Sequence, residues 1–237
     1  MRKLLLFATL CLALAVALPA AADIFIINGP PDSGTGNSFP WGSPYNAEYQ
    51  QVFTSSAMPS GPITITDLYF YNTQFNNGGT QLPTGNYTIT LAESTVDWNT
   101  ISGNYAANLA GSQNVQQVFN SSIAGPWSFG NTLDIALTTP YNYDPTKGNL
   151  LMDIVGTNVS IATNIYFDVN TDSKSSRVYC PSGIACQTGT VSQGYGLETG
   201  IGYSSGGGGT VPEPSSLLLL GTGVAGIAGI FRRKLLR

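Results

Sequence analysis

The 237-residue chain contains no histidine. That excludes Ser-His-Asp and Cys-His nucleophile arrangements and removes the commonest protein ligand of zinc. Charge is scarce as well, at 9% of residues. Between Asp23 and Thr210 the positive side chains are Lys147, Lys174 and Arg177, set against nine Asp and three Glu, a balance of −9. A surface of that sign repels phosphate backbones and anionic headgroups, so nucleic acid is not an expected partner. Phosphate loops of the Gly-x-x-x-x-Gly-Lys-Ser/Thr type are missing. Also missing from the middle of the chain is any long apolar pattern of helical period, which favours strands joined by turns.

Both ends carry apolar runs. Arg2 and Lys3 precede Leu4–Leu18, which Pro19 breaks, and Ala20-Ala21-Ala22 offers a signal peptidase small residues. The stretch 1–22 therefore reads as a secretory signal peptide, cut before Asp23. Cys11 lies inside the run; the position after the cut is Asp23, so a lipoprotein is not expected. At the other end, Val211-Pro212-Glu213-Pro214 leads into the uncharged stretch 215–231 and then Arg232, Arg233, Lys234 and Arg237. Seventeen residues lie at the short end of what spans a bilayer as a helix. The basic cluster places the C-terminus in the cytoplasm and everything before Val211 outside. An ordinary single-span anchor is the plain alternative; a GPI signal usually ends in its apolar tail, without such a cluster.

The order of Pro212-Glu213-Pro214, Gly-rich apolar helix and Arg232-Arg233-Lys234 resembles the PEP-CTERM sorting signal of Gram-negative bacteria. The resemblance covers about a ninth of the chain and concerns delivery. It implies an exported protein, first anchored in the inner membrane and then at the cell surface or outside the cell. Exosortase and signal peptidase would be its processing partners, and exopolysaccharide a frequent associate of the family. The segments Thr139–Pro145 with Gly148–Ile154, Glu48–Phe53 and Gly61–Ile65 also look similar to the ectodomains of such proteins, which implies a β-sandwich without assigned activity.

The expected fold is all-β: an antiparallel sandwich or jelly-roll-like ectodomain over 23–203, a Gly/Ser linker over 204–210 and the sorting tail with its transmembrane helix, 215–231. Strands are expected at 23–28, 48–55, 63–72, 86–94, 115–120, 132–138, 149–155, 164–169 and near 195–203. In 63–72 the alternation Ile63, Ile65 shifts phase to Leu68, Phe70, which calls for a bulge near Asp67. The stretch 99–111 leaves room for a short helical turn, and 174–193 reads as a loop. The linker's r.m.s. reach is roughly 15 Å, enough to stand a domain off a membrane.

No catalytic residue stands out, and no enzyme is expected. A carboxylate-pair glycosidase stays chemically open, but the spacing of Glu48, Glu93, Glu198 and the aspartates singles out no pair. No cofactor is expected beyond a candidate structural calcium. Asp168 and Asp172, in the oxygen-rich run 168–173, are its weak candidates, without EF-hand spacing. Trp41, in a Pro/Gly-rich loop with Asn37 and Asn46, is the candidate exposed sugar platform, since an aromatic face suits a pyranose ring. The alternative function is therefore a carbohydrate-binding module retaining exopolysaccharide. Thr64/Thr66 and Thr88/Thr90 lack the fixed repeat of an ice-binding face.

Cys180 and Cys186 are the two cysteines left after signal removal, and in an oxidising compartment a pair this close reads as a disulfide. The chain-entropy value of such a loop is roughly 2–2.5 kcal/mol. Thiol labelling of the unfolded, unreduced mature protein is expected to find no reactive cysteine; two labelled thiols per chain would refute the pairing.

Overall fold

Alternation decides which face each strand buries. In the computed structural model, which describes residues 23–44, 48–180 and 188–205, β1 is Asp23–Ile27, β2 Glu48–Phe53 and β3 Ile63–Tyr71. On β3 the side chains of Ile63, Ile65, Leu68 and Phe70 are buried. Their change of phase coincides with a register shift against the later strand β6 (Thr132–Tyr143): Ile65 pairs with Tyr141, but Asp67 pairs with Ala136. The extra β6 residues between those pairs include Pro140, which has no N–H to give a ladder. The expected bulge at Asp67 is thus present, and it keeps an apolar row on one face across the break.

The remaining strands are β4 (Gln81–Ser94), β5 (Gln113–Pro126), β7 (Asn149–Ser160), β8 (Val169–Thr171), β9 (Ser175–Tyr179), β10 (Thr190–Ser192), β11 (Tyr195–Leu197) and β12 (Thr199–Ser205); α1, Tyr105–Leu109, lies between β4 and β5. A four-stranded sheet runs β1-β12-β3-β6, a six-stranded sheet β10-β9-β2-β7-β4-β5, and β11 pairs with β8. The strand pairings are antiparallel throughout. The first and last of these strands are neighbours, so Asp23 sits opposite Tyr203 at one edge of the four-stranded sheet.

Inner faces of the two larger sheets meet in a single buried cluster, the arrangement of a sandwich. Phe70 comes from β3 of the first sheet and Tyr87 from β4 of the second. The Trp41 ring lies 5.2 Å from one and 5.1 Å from the other. A smaller cluster of Val52, Ala92, Leu151 and Val178 lines the opposite face of the six-stranded sheet, where Ile101 and Tyr105 cover it. The α1 helix is there to roof this patch. Asn104 caps it by accepting the Ala107 N–H at 3.1 Å.

Four expectations need correction. The strand expected over 164–169 is mostly irregular: Phe167 forms an isolated bridge with Asn37, and pairing resumes at Val169. The loop expected over 174–193 contains β9 and β10, and β9 is a central strand with four buried residues of five. The expected strand 195–203 is two strands in different sheets, parted at Glu198. β12 also runs through Ser205, opposite Ile63, so Ser204 and Ser205 belong to the sheet and not to a linker. Among the described residues no helix is long and apolar enough to cross a membrane. The signal helix (1–22) and the span 215–231 lie outside them.

Candidate functional site

Trp41 is not an exposed platform. It is 1% exposed, because the Gly42 backbone packs so closely on residue 165 that a Cβ at Gly42 would stand 1.9 Å from the Ile165 carbonyl oxygen. Gly42 N–H donates to the Ser38 carbonyl at 2.6 Å, and Ile165 N–H to the Gly42 carbonyl at 3.0 Å. These bonds turn the ring inward. Asn37 is buried too: its Nδ2 donates to the Phe39 carbonyl and its Oδ1 accepts the Phe39 N–H, so its amide shapes the loop. Asn46 lies outside the described residues.

The weak calcium candidates part company as well. Asp168 is buried, and its carboxylate accepts the Thr73 N–H, the Thr73 hydroxyl and the Gln74 N–H at 2.7–2.9 Å. With its oxygens so engaged it staples two loops. Asp172 caps the next turn, accepting the Lys174 N–H at 2.8 Å and pairing with the Lys174 ammonium at 3.3 Å. Among the described residues no group of three or more acidic or sulfur side chains could hold a metal.

Two carboxyl pairs form that no sequence spacing announces. On the roofed face of the six-stranded sheet, Gln50 pairs with Asp153, and Glu48 lies two residues from Gln50 on the same face. Burial pushes the Glu48 carboxyl up to about 7, helped by the Asp153 charge and a hydrogen bond to it. Burial also lifts Asp153, to about 6, against the hydrogen bonds from Gln50 and Glu48 that lower it. Glu198, at the break between β11 and β12, is pushed up to about 7 by burial and then by the Asp168 charge. Glu48 and Asp153 come from strands far apart in the chain and meet through the pairing of β2 with β7, while Glu198 and Asp168 meet between strands, which is why the sequence did not single them out. Arg177, also buried, lies over the rings of Tyr179 and Tyr195, 4.4 and 4.3 Å from their centres.

A cleft of about 540 Å³ opens where β3, β6 and the start of β5 approach one another. Glu93, Gln113, Asn114, Asn142 and Lys147 line it, with Thr64 and the Asp144 corner. None of them is among the residues the sequence put forward as a ligand site.

Val211–Pro214 and Arg232, Arg233, Lys234 and Arg237 lie outside the described residues, as does Cys186. Cys180 is fully buried after the last residue of β9. A family model described as the PEP-CTERM protein-sorting motif matches residues 210–234. No curated protein matches the chain. The chain thus ends in a PEP-CTERM sorting motif, which implies export and processing by an exosortase.

The raised carboxyls set a pH dependence. Between their unfolded values of about 3.8–4.5 and folded values of about 6–7, the native state holds more protons than the unfolded chain. Their stabilisation is complete below the unfolded values and is lost as pH rises through the folded ones. The melting temperature is expected to fall between pH 5 and pH 8, and Glu48→Gln to flatten that slope. A melting temperature that rises over this range would contradict the assignment.

Proposed function

We propose that this is a non-enzymatic exported protein, delivered by its C-terminal tail to the cell surface or to an extracellular polysaccharide matrix. The observation that carries the proposal is the PEP-CTERM sorting motif at 210–234. The signal peptide at 1–22 supplies export, and the span 215–231 holds the precursor in the inner membrane until exosortase acts.

A non-catalytic role fits the chemistry of the domain. The chain lacks histidine. The Glu48–Asp153 pair lies on the roofed face near α1, where the Tyr105 hydroxyl donates to the Glu48 carbonyl at 3.0 Å. Those carboxyls are placed as part of a packed face, and the cleft at β5 and β6 does not include them. A second reading, carbohydrate binding, has that polar cleft in its favour in place of the Trp41 loop.

Mass spectrometry of the protein from cells with active exosortase tests the delivery. The mature chain should begin at Asp23 and lack Arg237. Deletion of Pro212–Pro214 should leave export intact and keep the protein in the membrane fraction. A mature chain that still ends at Arg237 would overturn processing by the tail.

A further inference from the structure

We propose that the cleft between β3, β5 and β6 binds a neutral sugar unit through hydrogen bonds to Asn142, Gln113 and Glu93. The inference rests on the carbohydrate-binding reading and gives it a site and a ligand class. At about 540 Å³ the cleft falls within the roughly 300–1,000 Å³ common for small-molecule sites.

Its side chains are positioned, and several of their polar atoms are left over. Glu93, 3% exposed, is anchored by one oxygen, Oε1, which accepts the Asp144 N–H at 2.9 Å. The Thr64 hydroxyl donates to Asn142 Oδ1 at 2.8 Å, and Asn114 Nδ2 donates to the Asn142 carbonyl at 2.6 Å. The Asn142 side-chain amide is therefore held through its Oδ1, and Asn114 fixes the backbone beneath it. Asn142 Nδ2 has no hydrogen-bond partner among the described residues, and neither does the Gln113 amide. The Lys147 ammonium makes no ion pair among them. The wall thus offers two amide donors, an ammonium, the Gln113 carbonyl oxygen and the second Glu93 oxygen.

A hydroxyl group gives one hydrogen bond and accepts others, so adjacent hydroxyls on a pyranose complement a wall that mixes donors and acceptors. Charge argues against an acidic ligand. Two carboxylates, Glu93 and Asp144, face one ammonium, and hydrogen bonds from Thr146 hold the Asp144 carboxyl below its usual range. A uronate or phosphate would meet net repulsion there. Stacking contributes little: Tyr143, the aromatic residue of the wall, is 1% exposed. Recognition falls to the amides and Glu93.

The test is isothermal titration of the full chain, in detergent, with cellobiose, maltose and laminaribiose, and with digalacturonate as the acidic control. At least one neutral disaccharide is expected to bind, and more tightly than digalacturonate. Asn142→Ala and Gln113→Ala, both at exposed positions, should each weaken that binding by about five- to tenfold and leave the melting temperature unchanged. If a neutral sugar binds and both variants bind it as well as the parent, the site is wrong while the carbohydrate reading stands. If digalacturonate binds best, the ligand class is wrong. If none of the four sugars binds, the site proposal fails, and retention on a wider glycan array then decides the carbohydrate reading separately.

Discussion

The wedge of Trp41 between Phe70 and Tyr87 is the contact on which the two sheets depend. Each ring comes from a different part of the architecture: a loop, the four-stranded sheet and the six-stranded sheet. Tilted aromatic pairs at such distances add to the large apolar area they bury. The wedge is held in turn by backbone. Gly42 lies against Ile165 with no room for a side chain, and the loop carrying Trp41 bridges to Phe167 through Asn37. A second indole makes a related closure, since Trp127 Nε1–H donates to Asn72 Oδ1 at 3.0 Å while its ring lies 5.4 Å from Phe167. Asn72 Nδ2 then reaches the Tyr166 carbonyl at 2.6 Å. The loops at this end of the sandwich are thus tied down by amides and carboxylates, with Asp168 the most heavily engaged.

That use of polar groups shapes where recognition can occur. Residues that look free in the sequence, Asn37 and Asp168, are occupied by the fold. Exposed amides with open valences, those of Gln113 and Asn142, line the cleft that β5 and β6 border. The acidic surface is in part less charged than it reads. Glu48, Asp153 and Glu198 hold protons toward neutral pH because burial makes their ionised forms costly.

Much of the architecture was legible where alternation is strong. The phase change at Asp67 and the apolar rows of β3 and β4 correspond to register and burial in the sheets. Strand ends were less legible: β4, β5, β6 and β7 extend past their apolar cores, since ladder hydrogen bonds do not require apolar side chains. β9 was missed because Ser175-Ser176-Arg177 looks like a loop, and its burial comes from both neighbours, β2 and β10. The candidate site was hardly legible at all. A Pro/Gly-rich loop signals surface, but here the same glycine that allows the turn lets Trp41 enter the core. The cleft joins Thr64, Glu93, Gln113 and Asn142, which only the sheet pairing brings together. Delivery, by contrast, is written in a contiguous motif, and the sequence carries it without help from the fold.

The domain is an antiparallel β-sandwich with a polar cleft bordered by β3, β5 and β6. The account of the fold stands on Trp41 being a structural wedge between the two sheets. Urea unfolding of Trp41→Ala measures this most directly. Removal of a buried indole that joins two sheets should cost about 3–5 kcal/mol. An unchanged midpoint and slope would show the ring to be dispensable to the fold and would contradict the account.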